Sequence, residues 1–370
     1  MTRKPRVLMV GRTRYRLPLS APLRRKFDAL SEEVDVRVLA SGTGQDPRFA
    51  LVPPARRLDG ALFWAALPVR IAREVRRFRP DAILAQSPYE AAAATSALRL
   101  ARADARVLVD VHGDWRTSTR LYGSPLRRLV GPVADRVALR GLRRADTVRT
   151  ISDYTTGLVR EAGLEPGDVF PAFMDLEPFL EPTRPLPERP QALFVGVLEL
   201  YKNVDGLADA WRGAAPRVPE ATLHLVGYGA RTEVAERLVA ELPEQTRWTK
   251  ELSTEEVAAA LDESTLLVLP SRSEGLGRVI VEALCRGRPV LAAAVGGIRD
   301  IVRDGENGVL VPQGDTQALA DALVRLLSDR GEAERLAAAA RPSVEPWLAT
   351  PQEYAQRVRS LVDGAVEPSP

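Results

Sequence analysis

Short apolar runs, each closed by a glycine, a proline or a polar residue, alternate along this chain with longer amphipathic stretches. The first, Arg6-Val7-Leu8-Met9-Val10, stops at Gly11. A run this short with a breaker after it predicts a strand buried on both faces. A basic loop, Arg12 to Ser20, leads to a predicted helix from Ala21 to Ser31 and a strand, Asp35 to Leu39. The pattern continues with helix over Gly60–Phe78, strand over Asp81–Ala85, Ala-rich helix over Tyr89–Arg102 and strand over Arg106–Val111. Helix Pro125–Arg144, strand Thr147–Ile151 and helix Tyr154–Ala162 complete this half, with Ser152 and Asp153 as candidate caps.

The alternation breaks at Phe179–Pro190, FLEPTRPLPERP, where four prolines fall in twelve residues. Proline lacks an N–H and excludes helix interiors, so an extended linker is expected there. Strands are then predicted at Ala192–Val195, Thr222–Val226, Leu266–Leu269, Val290–Ala293 and Gly308–Val311, with helices between them and a last helix over Trp347–Val362. Two successive strand–helix series predict an α/β protein of two Rossmann-like, doubly wound domains facing a central cleft. The expected boundaries are 1–180 and 181–344. Ligands in such sheets bind outside the carboxyl ends of the strands, and the glycine turns named here follow strands.

The length of 370 residues agrees with two domains, and 45% hydrophobic with 27% charged residues is a globular composition. A single cysteine, Cys285, excludes an internal disulfide and fits a reducing compartment. The first apolar run is about five residues, shorter than the ~7–15 of a secretory h-region or the ~20 of a membrane span. A cytoplasmic protein is therefore expected. Charge is uneven. Residues 1–180 hold 31 Lys/Arg against 20 Asp/Glu, and the remainder 21 against 29. Basic clusters such as Arg24/Arg25/Lys26, Arg73/Arg76/Arg77/Arg79 and Arg140/Arg143/Arg144 all lie in the first half. Aromatics are 5% and do not interleave with them, which argues against nucleic acid. Peripheral contact with an anionic membrane surface fits such a half.

The chemistry concentrates in Ser271–Pro289, SRSEGLGRVIVEALCRGRP. A strand, a glycine-containing turn and a helix start make an anion site, because free N–H groups and the helix dipole point at the turn. Glu274 and Glu282 are carboxylates able to accept hydroxyl hydrogens, and Arg272 and Lys202 are cations. His224 lies inside an apolar strand and reads as packed, Cys285 as inert. No His/Cys/Asp cluster has zinc spacing.

Glu274-Gly275-Leu276-Gly277 with Glu282 resembles the paired-glutamate signature of retaining nucleotide-sugar glycosyltransferases of the GT-B fold, family 4. Val195-Gly196 through Lys202-Asn203, Val226-Gly227-Tyr228-Gly229, Gly296-Gly297-Ile298-Arg299-Asp300 and Glu306-Asn307-Gly308 resemble further donor-domain motifs, and Asp175–Phe179 the interdomain segment. The resemblance implies sugar transfer from a nucleoside-diphosphate sugar to a hydroxyl acceptor, in glycan, glycolipid or natural-product synthesis. It implies no metal and no cofactor beyond that co-substrate. Glu282 is then the ribose ligand, and Glu274 the contact to the donor sugar. The N–H groups of Leu276 and Gly277, with Lys202, face the diphosphate. Gly196, Gly227, Tyr228 and Gly275 line the donor site. His112, at the end of a strand, approaches the donor sugar, and Asp114 binds the acceptor or orients His112. Gly11 and Arg12, at the first strand's end, are acceptor candidates. The segment 345–370 returns to the first domain. Two departures stand out: Val197 replaces the family's usual arginine, leaving Arg272 as the substitute cation, and Ala172-Phe173 replaces an Asn-Gly turn. A same-fold epimerase or phosphorylase, or a weakly active nucleotide-sugar scaffold, remains an alternative.

Overall fold

A computed structural model describes residues 3–53, 59–117 and 125–366. It divides into two units, Met1–Asp175 with Ala349–Pro370, and Leu176–Leu348. The last four residues of the expected C-terminal segment lie outside the described residues.

The first unit holds seven parallel strands: β1 (Arg6–Arg16), β2 (Asp35–Thr43), β3 (Phe49–Val52), β4 (Ala82–Ala85), β5 (Arg106–Val111), β6 (Thr147–Thr150) and β7 (Asp168–Val169). Their order is β3-β2-β1-β4-β5-β6-β7. Both faces are covered, which is why the strands read as unbroken apolar runs. Val7, Met9, Leu84 and Leu108 pack on one side with Phe27, Phe170 and Tyr354; Leu8, Val10, Ile83 and Val109 pack on the other with Leu67 and Ile71. The C-terminal helix Pro351–Val366 belongs to the first side, where its Arg359 donates to the Glu33 carbonyl at 3.0 Å.

The second unit repeats the plan with β8 (Gln191–Val195), β9 (Thr222–Val226), β10 (Thr246–Thr249), β11 (Leu266–Leu269), β12 (Val290–Ala293) and β13 (Gly308–Val311), in the order β10-β9-β8-β11-β12-β13. In both units the sheet starts in the middle and reverses direction between its first and fourth strands. Those reversal points, β1/β4 and β8/β11, are where ligands lodge in such sheets.

The last helix runs Pro351–Val366 instead of Trp347–Val362, the helix Arg330–Ala340 was not expected, and three further features differ from the expectation. β1 does not end at Gly11 but continues to Arg16 after a register shift between Val10 and Arg14. Its extension buries Tyr15 edge-on against Phe27 and Phe49 at 5.8 and 5.1 Å, so the basic stretch is a strand with one anchoring ring. The edge strands β3, β7 and β10 were not anticipated, because half-exposed edges lack the apolar run that marks a central strand. Finally, the proline-rich segment begins in a 3-10 turn, Glu177–Phe179, continues as irregular backbone and is not free. Arginines of the second unit cap its carbonyls: Arg286 donates to Glu181, Arg288 to Arg184 and Pro185, Arg330 to Leu186 and Pro187, and Arg341 to Phe179 and Leu180. A chain outside helix and sheet needs donors for its carbonyls, and arginine supplies several from one head group.

Candidate functional site

At the β8/β11 reversal the loops after the two strands are bonded to each other. The Arg272 N–H donates to the Tyr201 carbonyl at 2.7 Å, and the Lys202 ammonium pairs with Glu274 at 2.5 Å. Lys202 is 9% exposed, so this is a partly desolvated pair. Sequence separation hid the contact, yet it joins two residues expected in the donor site. The turn itself is held from behind. The Gly297 N–H donates to the Glu274 carbonyl at 3.1 Å, and a Cβ on Gly297 would lie 2.0 Å from the Gly275 oxygen. Only glycine tolerates that approach. Gly277 then takes a left-handed φ of 82° and caps the helix Arg278–Cys285. The N–H groups of Leu276, Gly277 and Arg278 have no partner among the described residues, as an anion site requires.

Glu282 is one turn into that helix, 7% exposed, and accepts from Arg278 at 2.6 Å. Burial pushes its carboxyl pKa up, opposed by the Arg278 charge. Arg278 was not singled out, although arginine four residues before glutamate on a helix is a readable pairing. Arg272 has no carboxylate partner among the described residues, and its carbonyl accepts from Gln313 at 2.8 Å.

Beside this turn, the loops after β8 and β9 close on each other. Leu198 N–H donates to the Tyr228 carbonyl at 3.1 Å, and a Cβ on Gly227, whose φ is 138°, would sit 1.9 Å from the Gly196 oxygen. Tyr228 is 52% exposed, with Lys250 5.7 Å from its ring. Val197, where a cation was missed, is 45% exposed. His224 is packed as expected: its Nδ1 meets Arg247 and its Nε2 meets Thr249, each at 2.9 Å. Burial, then Arg247, lowers its pKa to about 4. Cys285 is buried, and burial raises its thiol to about 11, which keeps it protonated.

In the first unit His112 follows β5 directly. The carboxylate beside it is not Asp114. Asp114 accepts from the Arg116 N–H and side chain at 2.9 and 2.8 Å, which closes a local turn. Asp110 instead lies 3.5 Å from His112 Nε2. Strand alternation puts residues two apart on one face, and that periodicity was available in the sequence. Gly11 and Arg12 lie at the register shift of β1, where Gly11 backs onto Gln86.

Glu90 also occupies the β1/β4 reversal and was missed. It sits in the first turn of the helix Pro88–Ala101, 3% exposed, and takes the Ser87 hydroxyl hydrogen. Burial raises its carboxyl pKa to about 7, against the pull of Ser87 and Arg12. A carboxyl raised on folding favours the protonated form. Its stabilisation is complete below about 4.5 and is lost as pH rises through about 7, amounting to about 3 kcal/mol at most. Urea unfolding of the wild type should therefore weaken from pH 5 to pH 8, and Glu90→Gln should flatten that slope. Equal slopes in the two proteins exclude the assignment.

Among the described residues no group of three His, Cys, Asp or Glu is placed to hold a metal ion, and no helix is long and apolar enough to cross a membrane.

Two family models cover most of this chain. One, described as Glycosyltransferase Family 4, matches residues 24–177; the other, Glycosyl transferases group 1, matches 179–342. The chain belongs to glycosyltransferase family 4, of the GT-B fold. It is 29% identical to the sulfoquinovosyl transferase of Arabidopsis thaliana over 76% of this chain and 56% of that protein. It is 36% identical to the phosphatidyl-myo-inositol mannosyltransferase of Mycobacterium leprae over 42% of each. The chain thus spans about half the length of the curated relatives it matches. Among solved structures, sucrose-phosphate synthase from Thermosynechococcus elongatus superposes with a TM-score of 0.78 at 21% identity, over 98% of this chain and 100% of that one. HepE from Anabaena, solved with UDP and glucose, gives 0.71 at 19% identity, over 96% and 99%. At these identities the likeness is one of fold.

Glu90 emerges only from packing, whereas Arg278 and the Asp110 carboxylate beside His112 had a local signal in the residue spacing.

Proposed function

We propose that this chain transfers a sugar from a nucleoside-diphosphate sugar to a hydroxyl, with retention at the anomeric carbon and without a metal ion. The observation that carries the reading is the Lys202–Glu274 pair at the β8/β11 reversal, with unpartnered N–H groups and buried Glu282 in the same short stretch. In this reading Glu282 accepts from the ribose hydroxyls, and Lys202, Arg272 and the N–H groups of Leu276 and Gly277 balance the diphosphate. Gly196, Gly227 and Gly275 let the backbone approach it, and the exposed Tyr228 ring is the stacking surface for the base. Glu274 contacts the donor sugar. The bond from the anomeric carbon to the diphosphate oxygen breaks, a bond to the acceptor oxygen forms, and the acceptor proton leaves with the diphosphate. Positive groups at the leaving oxygens stabilise the charge that grows there. Residues 1–180 with the C-terminal helix serve the acceptor, through Gly11, Arg12 and Asp114, and His112 contacts sugar hydroxyls.

Since the HepE structure holds UDP, UDP-sugars are the first donors to test, beside GDP-, ADP- and dTDP-sugars. Nucleotide release that depends on an acceptor, with a product anomeric proton coupling that matches the donor's, is the expected result. Release indifferent to every acceptor, or an inverted anomer, overturns it.

The name of the Mycobacterium leprae relative, a phosphatidyl-myo-inositol mannosyltransferase, points to a lipid acceptor, and a surface of the first unit fits one. On the helix Pro125–Arg143, Val133 and Val137 are 58% and 42% exposed beside exposed Arg136, Arg140 and Arg143, with Arg144 just beyond. No carboxylate pairs with these arginines among the described residues. Apolar tips among unpaired cations fit an anionic bilayer surface, each cation contributing about 1 kcal/mol. Sedimentation with phosphatidylglycerol vesicles should be lost in an Arg140→Glu/Arg144→Glu variant; unchanged sedimentation rules this surface out.

A further inference from the structure

The Asp110 carboxylate beside His112 is itself held by a second buried charge. Asp110 and Arg149 are register partners on the parallel strands β5 and β6. Their side chains are 3% and 1% exposed and meet at 3.0 Å. Arg149 is fixed from the far side, where one amino group donates to the Phe170 and Pro171 carbonyls at 2.9 and 2.8 Å. Its guanidinium lies over the Phe170 ring, 3.9 Å from the centroid, with the Tyr354 ring 5.7 Å away on the C-terminal helix. His112, by contrast, keeps 42% of its side chain exposed.

A buried ion pair adds little net stability, because desolvation offsets attraction. Its placement behind a half-exposed imidazole gives it another use. Which ring nitrogen carries the proton is set by the hydrogen bond made by the other. A carboxylate can only accept, so the Asp110 oxygen, in ion-pair contact 3.5 Å from Nε2 and longer than a hydrogen bond, favours a proton on Nε2 electrostatically. Burial alone works against an ionised Asp110, yet the Arg149 charge and His112 hold its carboxyl well below the ordinary range. The acceptor is therefore present at neutral pH.

We propose that Asp110, clamped by Arg149, is the positioning residue that holds His112 as its Nε2–H tautomer, leaving Nδ1 as a hydrogen-bond acceptor for a substrate hydroxyl. The ring is then oriented before substrate arrives, and its open nitrogen accepts rather than donates. Arg149 supplies the charge that keeps Asp110 ionised and the carbonyl contacts that stop it moving.

The substrate part rests on the proposed role of His112, whereas the tautomer does not. The chain has two histidines, so long-range ¹H–¹⁵N spectra of the full-length protein contain two imidazoles, and His112→Gln identifies which is which. At about pH 8, where an ordinary imidazole is neutral, His112 is expected as Nε2–H. Asp110→Asn, whose amide can donate, should shift it toward Nδ1–H, and Arg149→Lys should leave the tautomer in place. With donor and acceptor, Asp110→Asn should lower kcat by about tenfold to a hundredfold, the scale seen when the partner orienting a metal-bound histidine is lost, with donor KM nearly unchanged. A wild-type His112 in the Nδ1–H form, or one unmoved by Asp110→Asn, overturns the proposal even if transfer is never detected. The expected tautomers with normal turnover in His112→Gln would instead remove His112 from the proposed reaction and leave the positioning intact.

Discussion

Replacing Glu274 by glutamine is expected to lower kcat by about 10² to 10³-fold while leaving nucleotide affinity unchanged or tighter. The two effects separate because Glu274 has two partners in the proposed cycle. In the free protein its carboxylate neutralises Lys202, a cation that is 9% exposed. With donor bound, the same lysine also faces the diphosphate. A neutral amide releases Lys202 entirely to the phosphates, so binding of the nucleotide alone loses nothing. Turnover is different. Sugar transfer passes through a state with positive charge at the anomeric carbon, and a fixed carboxylate there is worth what a preorganised charge usually contributes, about 3–4 kcal/mol. The free variant should also melt lower, since a mostly buried ammonium left without its anion costs about 1–3 kcal/mol. Turnover within threefold of wild type in Glu274→Gln would falsify the assignment, and weaker nucleotide binding would show that Glu274 supports the nucleotide site rather than competing with the phosphates for Lys202.

What was readable in this chain, and what was not, follows from the range of each interaction. The strand–turn–helix unit at Leu266–Cys285 is local. Its apolar run, its glycines and its helix start lie within twenty residues, and each has a backbone reason visible in the residue types. The doubly wound class was legible for the same reason, through the regular alternation of strand and helix, but the strand order was not. The Lys202–Glu274 pair spans 72 residues and the Asp110–Arg149 pair 39. Neither contact is visible without the strand order that brings β8 beside β11 and β5 beside β6. Arg149 is especially opaque, because an arginine in a strand otherwise reads as a break in the apolar pattern. Only the carbonyls of Phe170 and Pro171 and the carboxylate of Asp110 explain it. The four arginines that cap the proline-rich segment were equally silent, since composition presents them as solvated charge.

Glutamine at Glu282 should weaken binding of a ribonucleoside diphosphate by about ten- to a hundredfold, as a neutral acceptor replaces a charged one on two hydroxyls. The free protein already shows the competitor for that carboxylate, Arg278, one turn earlier on the same helix. Its side chain is 53% exposed, so the pair is weak and can be displaced by ligand. Arg278→Ala should therefore bind nucleotide as well as or better than wild type, opposite in sign to Glu282→Gln. Burial raises the Glu282 pKa, and the carboxylate form is the better acceptor from both hydroxyls. Wild-type affinity should then fall as pH drops through that raised value, whereas Glu282→Gln should show no such fall. The ribose itself supplies the decisive comparison. If the carboxylate accepts from both hydroxyls, wild type should prefer UDP over dUDP, and Glu282→Gln should lose most of that preference. Calorimetry finding the same UDP/dUDP ratio in both proteins would move the ribose away from Glu282, whatever happens to overall affinity.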